Sequence, residues 1–303
     1  MTQPLLTLYR DGDTWTGFNP VSGLKVTASP STDILSYRPP RPELVDINVT
    51  DFCSVGCAFC YRGSDTRGEH ATLENLATIA QRLGKAGVFE VALGGGEITE
   101  HPHFLQMLPL FHEAGLVTNF TTRLPQHVAA QWRRIEPHIG AFAFSTSGPR
   151  ELKRQAETLR GLPAERINVH VVMGTQSEAQ FRATLEEAAR HRYRVTLLGY
   201  KTTERGGEYR PIPYDWWTGG IALAQERGLA LSIDTTLAEQ YHQDILAAGV
   251  AQEYFHVREG QYSAFIDAVS MTLHASSYAG PSFPFTEDWL ETAWPRLVTL
   301  TQE

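Results

Sequence analysis

LVDINVTDFCSVGCAFC, residues 44–60, is a short β-prone run that leads directly into a loop carrying Cys53, Cys57 and Cys60. These three are the whole cysteine complement of the 303-residue chain. Free cysteines that serve as small core hydrophobes scatter along a sequence, so three on one short loop mark a site instead. Soft thiolates select zinc, Cu(I) or iron–sulfur clusters. A structural zinc usually has four closed ligands, and a [4Fe–4S] cluster normally takes four cysteines. Three thiolates therefore leave one metal position open to a substrate or cofactor. A structural zinc completed by a nearby histidine such as His70 is the competing reading, although no second cysteine pair accompanies the loop.

Outward from this loop, strand and helix patterns alternate. Helical spacing covers 73–85, 103–114, 126–134, 151–159, 179–191 and 219–226. β-prone runs cover 88–93, 117–121, 141–145, 167–172, 195–199 and 229–233. Alternation of this kind means a parallel sheet with right-handed crossovers. A partial (β/α)6 barrel, a closed (β/α)8 barrel and a doubly wound sheet share the periodicity. Before it, residues 1–28 read as small hairpins with Asp11-Gly12 and Ser22-Gly23 turns, and 29–42 as a Pro-rich extended linker. Beyond Leu237 the pattern weakens to a strand over 263–269 and a Trp-containing helix over 287–297.

The loop Cys53 to Cys60, with Phe59 just before its third cysteine, resembles the cluster loop of the radical S-adenosylmethionine (SAM) superfamily. Gly94-Gly95-Gly96-Glu97, at the end of the next strand, resembles that superfamily's glycine-rich SAM-binding motif. The resemblance covers residues 43–235. It implies a partial (β/α)6 TIM-like barrel with a short β-rich N-terminal extension and a C-terminal tail. The corresponding domains are 1–42, 43–236 and a 237–303 extension over the substrate side. It further implies one [4Fe–4S] cluster on Cys53, Cys57 and Cys60, whose fourth iron binds SAM. One-electron reduction would then give a 5′-deoxyadenosyl radical. By the same resemblance, Gly94, Gly95, Gly96 and Glu97 form the edge for the SAM methionyl group. Phe59 and Met173 lie near adenine, and Ser145 and Ser147 near ribose or carboxylate. Lys201, at the sixth strand end, is the candidate catalytic residue, orienting a carboxylate. Each has a plain alternative: Glu97 as a helix cap, Phe59 as core, the serines as caps, Lys201 as a solvated surface lysine.

A formal net charge of −8 argues against a nucleic-acid backbone as partner. No apolar run is long enough to span a bilayer, and the N-terminus lacks a signal-peptide pattern. A reducing cytoplasm is the expected compartment, with an electron donor such as flavodoxin or ferredoxin. The absence of cysteines after Cys60 excludes auxiliary clusters and a thiol hydrogen donor within this sequence. Residues 1–42 are too few for a separate peptide-leader recognition domain. The expected activity is hydrogen abstraction from a C–H bond of a peptide or small molecule in natural-product or peptide modification. Tail aromatics Tyr254, Phe255, Tyr262, Phe265, Trp289 and Trp294 are read as a groove for such a peptide. A glycyl-radical-enzyme activase and a non-catalytic zinc-binding α/β protein are the alternatives.

Overall fold

The computed structural model describes residues 6–31, 33–212, 216–278 and 280–300, with the backbone alone at 216–218 and 300. Three short strands open the chain: β1 (Thr7–Asp11), β2 (Thr14–Phe18) and β3 (Lys25–Ala28). They form an antiparallel sheet of their own. This sheet rests on the body through Phe18 stacked on Phe89 at 4.9 Å and the Arg41 guanidinium 3.8 Å over the Tyr9 ring.

The expected alternation follows. Its strands and helices are β4 (Leu44–Thr50), α1 (Leu73–Ala86), β5 (Glu90–Gly95), α2 (Phe104–Glu113), β6 (Val117–Thr122) and α3 (Pro125–Ile135). Then come β7 (Phe142–Ser145), α4 (Pro149–Thr158), β8 (Ile167–Val172), α5 (Glu178–His191) and β9 (Arg194–Leu198). A short α6 (Arg205–Glu208), α7 (Trp216–Arg227) and β10 (Leu231–Ile233) complete the run. Strands β4 to β10 lie side by side in chain order, all parallel. Among the described residues β10 pairs only with β9, so the barrel stays open and the closed and doubly wound alternatives fall away.

Local signals explain the helices. In α1, Thr72 accepts from the Asn75 N–H at the N-terminus, and Gly87 closes the C-terminus at φ 74°. Leu76, Ile79, Ala80 and Leu83 face the sheet and are buried. Full burial stabilises each larger side chain by about 2 kcal/mol. Helix α5 opens on a capping box between Ser177 and Gln180.

Side chains alternate along each strand. Val45, Ile47, Val49, Val91, Leu93, Phe120, Phe144, Val169, Val171, Val195 and Leu197 pack under the helices as the core. The alternate positions on the other face of the sheet include polar residues, among them Asp46 and Asn48 on β4, Asn119 on β6, His170 on β8 and Thr196 on β9.

The tail begins with α8 (Thr235–Gln240) and α9 (His242–Ala247), which the sequence pattern did not indicate. It then adds β11 (Ser263–Asp267), β12 (Thr272–His274) and β13 (Ser282–Pro284), and ends on α10 (Trp289–Leu300). Strand β11 pairs in parallel with β4, on the side opposite β5, so β11–β13 continue the same 10-stranded sheet. The aromatic groove expected here does not form as such. Tyr262, Phe265, Trp289 and Trp294 are buried in packing, and Tyr254 alone of the six is largely exposed. No helix among the described residues is long and apolar enough to cross a membrane.

Candidate active site

The cysteine loop leaves β4 at Thr50 and folds back over the strand ends. Phe52 bridges to Asp65, and the Cys53 N–H bonds the Asp65 carbonyl at 2.9 Å. Gly56 and Gly63 turn the loop at φ 67° and 66°. All three cysteines are free and partly buried. Burial pushes the thiols of Cys53 and Cys57 up; Cys60 adds to both, and Cys53 adds to Cys57. The backbone N–H groups of Val55 and Gly56 oppose this at Cys53, and Arg123 opposes it at Cys57. Three coupled thiols on one loop, with an arginine beside them, form a donor set that fits an iron–sulfur cluster held by three thiolates. His70, the histidine a zinc would recruit, bonds Thr50 Oγ1 through Nδ1 at 2.8 Å. Among the described residues no three His, Cys, Asp or Glu side chains are grouped as around a single metal ion.

The glycine motif is built against this loop. The Gly96 N–H bonds the Thr50 carbonyl at 2.6 Å, and the Glu97 N–H bonds the Phe52 carbonyl at 2.8 Å. Gly95 and Gly96 have no room for a side chain: a Cβ would lie 2.0 Å from Asn48 Oδ1 and 2.1 Å from the Phe52 oxygen, respectively. A Cβ on Gly94 would meet nothing within 4 Å. Gly94 thus leaves open space at the strand end, where a ligand can approach backbone.

Glu97 is buried, and its carboxylate is occupied within the chain. Oε1 accepts from the Thr99 N–H (3.1 Å), Thr99 Oγ1 (2.7 Å) and Thr122 Oγ1 (2.6 Å), and Oε2 from the Arg123 N–H at 2.7 Å. It ties the motif to the end of β6. Arg123 then organises the end of β7: Nη1 donates to the Ser145 carbonyl (3.0 Å), and Nη2 to Ser147 Oγ (3.1 Å) and Glu151 (2.9 Å). Arg123 Nε is buried without a partner. An orphaned charged donor beside Cys57 suits an anionic ligand group there. Met173 sits in the hydrophobic core at the end of β8. Phe59 packs edge-on against Tyr209, with ring centres 5.7 Å apart.

Lys201 is no solvated surface lysine. Its ammonium lies 4.6 Å over the Tyr61 ring and 4.7 Å over that of Tyr278, and donates to Ser277 Oγ at 3.2 Å. Burial works against its charge, but Tyr61, Asp234, Glu259 and Asp46 outweigh it and hold the ammonium above its ordinary value. Burial in turn pushes Asp46 up to about 6 and Glu259 to about 7. Asp46 has protein on every side yet stays in contact with water, as befits the wall of a wet lumen. A cavity of about 390 Å³ adjoins this cluster, lined by Tyr61 and Arg62, by Thr203, and by Phe265, His274 and Tyr278 of the tail. Arg62, Thr203 and Arg205, all against the cysteine loop, escaped sequence reasoning; isolated cations and hydroxyls carry no spacing signal.

A family model for the radical SAM superfamily matches residues 47–237, more than half of the chain. The chain belongs to the radical SAM superfamily. No curated protein matches this radical SAM chain. Among solved structures, SuiB of Streptococcus suis superposes with a TM-score of 0.69 at 13% identity, covering 98% of this chain and 89% of that one. SuiB bound to precursor peptide SuiA gives 0.66 at 15%, over 86% of this chain; the chain spans 66% of that SuiB structure's length. Native anSMEcpe with bound AdoMet gives 0.59 at 11%, over 86% and 84%. At these identities the likeness is one of fold.

Proposed function

We propose that this radical SAM protein is a single-cluster enzyme that abstracts hydrogen from a C–H bond of a peptide substrate. Cys53, Cys57 and Cys60 would hold the cluster, and the Gly94 edge with Arg123 would hold SAM. When bound, this pair supplies a 5′-deoxyadenosyl radical by reductive cleavage of SAM. The observation that carries the reading is that the glycine motif is hydrogen-bonded to the start of the cysteine loop, with open space at Gly94, while Tyr61 and Arg62 just past Cys60 line a cavity. A reactive radical needs the target C–H held within a few ångströms and shielded from water. In this reading the 237–303 extension covers the substrate side, since its Phe265, His274 and Tyr278 wall the cavity opposite Tyr61. Lys201 fixes Tyr61 and Tyr278 and presents the charge that orients a substrate carboxylate. Support for a peptide comes from the fold shared with SuiB, which has been seen with its precursor peptide.

The test is anaerobic reconstitution followed by incubation with SAM, a low-potential reductant and a peptide panel. About four irons and four sulfides per chain are expected. With the right peptide, 5′-deoxyadenosine should rise and the peptide mass should change. S-adenosylhomocysteine as the sole product would overturn the radical reading. SAM cleavage that responds only to a glycyl-radical enzyme, with no peptide turned over, would replace it by the activase.

A further inference from the structure

The cysteine loop makes few hydrogen bonds of its own. Between Cys57 and Gly63 its backbone closes only the Cys60 N–H to Cys57 carbonyl bond and the Gly63 N–H to Cys60 carbonyl bond, both 3.3 Å. Its N-terminal end is held by Glu100, which accepts from the Ser54 N–H at 2.9 Å, and by the Asp65 carbonyl on the Cys53 N–H, while Arg62 is tied to Asp51 and Asp267. The Cys57–Ser64 turn itself is held from residues 200–209, the segment after β9. Thr203 Oγ1 donates to the Tyr61 carbonyl at 2.8 Å. Arg205 donates from Nε to the Cys57 carbonyl (3.1 Å), from Nη1 to the Gly63 carbonyl (3.0 Å) and from Nη2 to the Ser64 carbonyl (2.8 Å). Each of its three nitrogens therefore serves a different carbonyl. One is the carbonyl of a cysteine, and two lie just past Cys60, so the fork brackets the cysteine-bearing turn at both ends. Gly206 lets the segment turn tightly on itself after Lys201, since a Cβ there would lie 2.3 Å from the Lys201 oxygen.

A guanidinium is planar, permanently charged and rigid in its donor geometry, so it sets distances between three carbonyls in a way a flexible ammonium cannot. Its charge also has an electrostatic consequence. Thiolates and reduced iron–sulfur centres are anionic, and a nearby cation favours the more negative, reduced state. Geometry and charge thus make separable contributions at one residue.

Resting on the cluster reading above, we propose that Arg205 is the positioning residue of the cluster loop. It fixes where Cys57 and Cys60 stand, and its charge raises the tendency of the site to accept an electron. The test compares wild type, Arg205→Lys and Arg205→Met, all reconstituted anaerobically. Iron release to a chelator and the midpoint potential from a spectroscopic redox titration are measured, with far-UV circular dichroism as the check on fold. Losing even one charge-assisted hydrogen bond should speed iron release roughly tenfold or more in both variants. The potential should fall in Arg205→Met and stay near wild type in Arg205→Lys, which keeps the charge. If Arg205→Met does not fold, Arg205→Lys alone decides: faster iron release at a near-native potential supports the proposal. Wild-type iron retention and potential in both variants would overturn it and leave the cluster reading intact. A wild-type protein that takes up no iron would instead remove that reading, and the proposal with it.

Discussion

Gly94, Gly95 and Gly96 adjoin one another in sequence but answer to different constraints. Gly95 combines φ 122° with a Cβ position 2.0 Å from Asn48 Oδ1 and 2.3 Å from the Thr50 oxygen. Gly95→Ala should therefore destabilise the fold by about 2–4 kcal/mol, from overpacking together with an unfavourable φ. Gly94→Val meets open space, so it should unfold at the wild-type temperature while weakening SAM binding. Thermal unfolding and SAM titration of both variants check this pair; a Gly94→Val protein that binds SAM as wild type does would sink it. The sequence motif announces that a ligand edge is present, because its glycines are contiguous and follow a strand. Which glycine faces the ligand depends on Asn48, Thr50 and Phe52 across the β4–β5 pairing, and no local pattern encodes that. Glu97 shows the same limit: its type is legible, but Thr122 and Arg123 come to it from another strand.

At the level of elements, the barrel was legible wherever strand and helix each ran for a full period. The helices after β4 through β8 were bounded within a residue or two by caps and apolar spacing. The tail was less so, since β12 and β13 have three residues each and α8 and α9 six. Such lengths show no period, and their positions follow from β11 docking on β4. That docking is fixed by charge as well as by backbone. Arg62 pairs with Asp51 at 2.8 Å and Asp267 at 3.3 Å, with Arg62 and Asp267 13% and 17% exposed. Asn48 Nδ2 donates to the same two carboxylates at 3.0 and 3.1 Å. The tail strands are thereby joined to the residue two past Cys60. Asp267→Asn, which keeps the Val269 and Ser270 N–H acceptor but drops the charge, should cost about 1–3 kcal/mol. In a double-mutant cycle with Arg62→Gln the double variant should cost less than the sum of the two single variants; additive effects would mean the pair does not hold the tail.

Across the whole molecule, the apolar core lies between sheet and helices, while Asp46, Lys201, Asp234 and Glu259 form a mutually interacting charged group at the open barrel. That arrangement has a pH signature. Burial raises Glu259 from an ordinary value of 4.5 to about 7, with Asp46 and Asp234 adding and Lys201 opposing. Between those values the folded protein holds a proton that the unfolded chain has released, so this group's contribution to stability falls as pH rises from about 5 to 7. Buried His101 and half-buried His170, lowered to about 4 by desolvation, act oppositely: their contribution is lost as pH falls from about 6.5 towards 4. The two effects cancel in part below pH 6.5, so the wild-type curve alone cannot separate them. Glu259→Gln isolates the acid, because the amide keeps an acceptor for Thr236 Oγ1 and never ionises. The unfolding temperature of Glu259→Gln minus that of wild type should be small at pH 5 and grow more positive up to pH 8. A difference that stays flat, or that declines with pH, would place Glu259 among ordinary solvated carboxylates and remove it from the lumen's charge balance around Lys201.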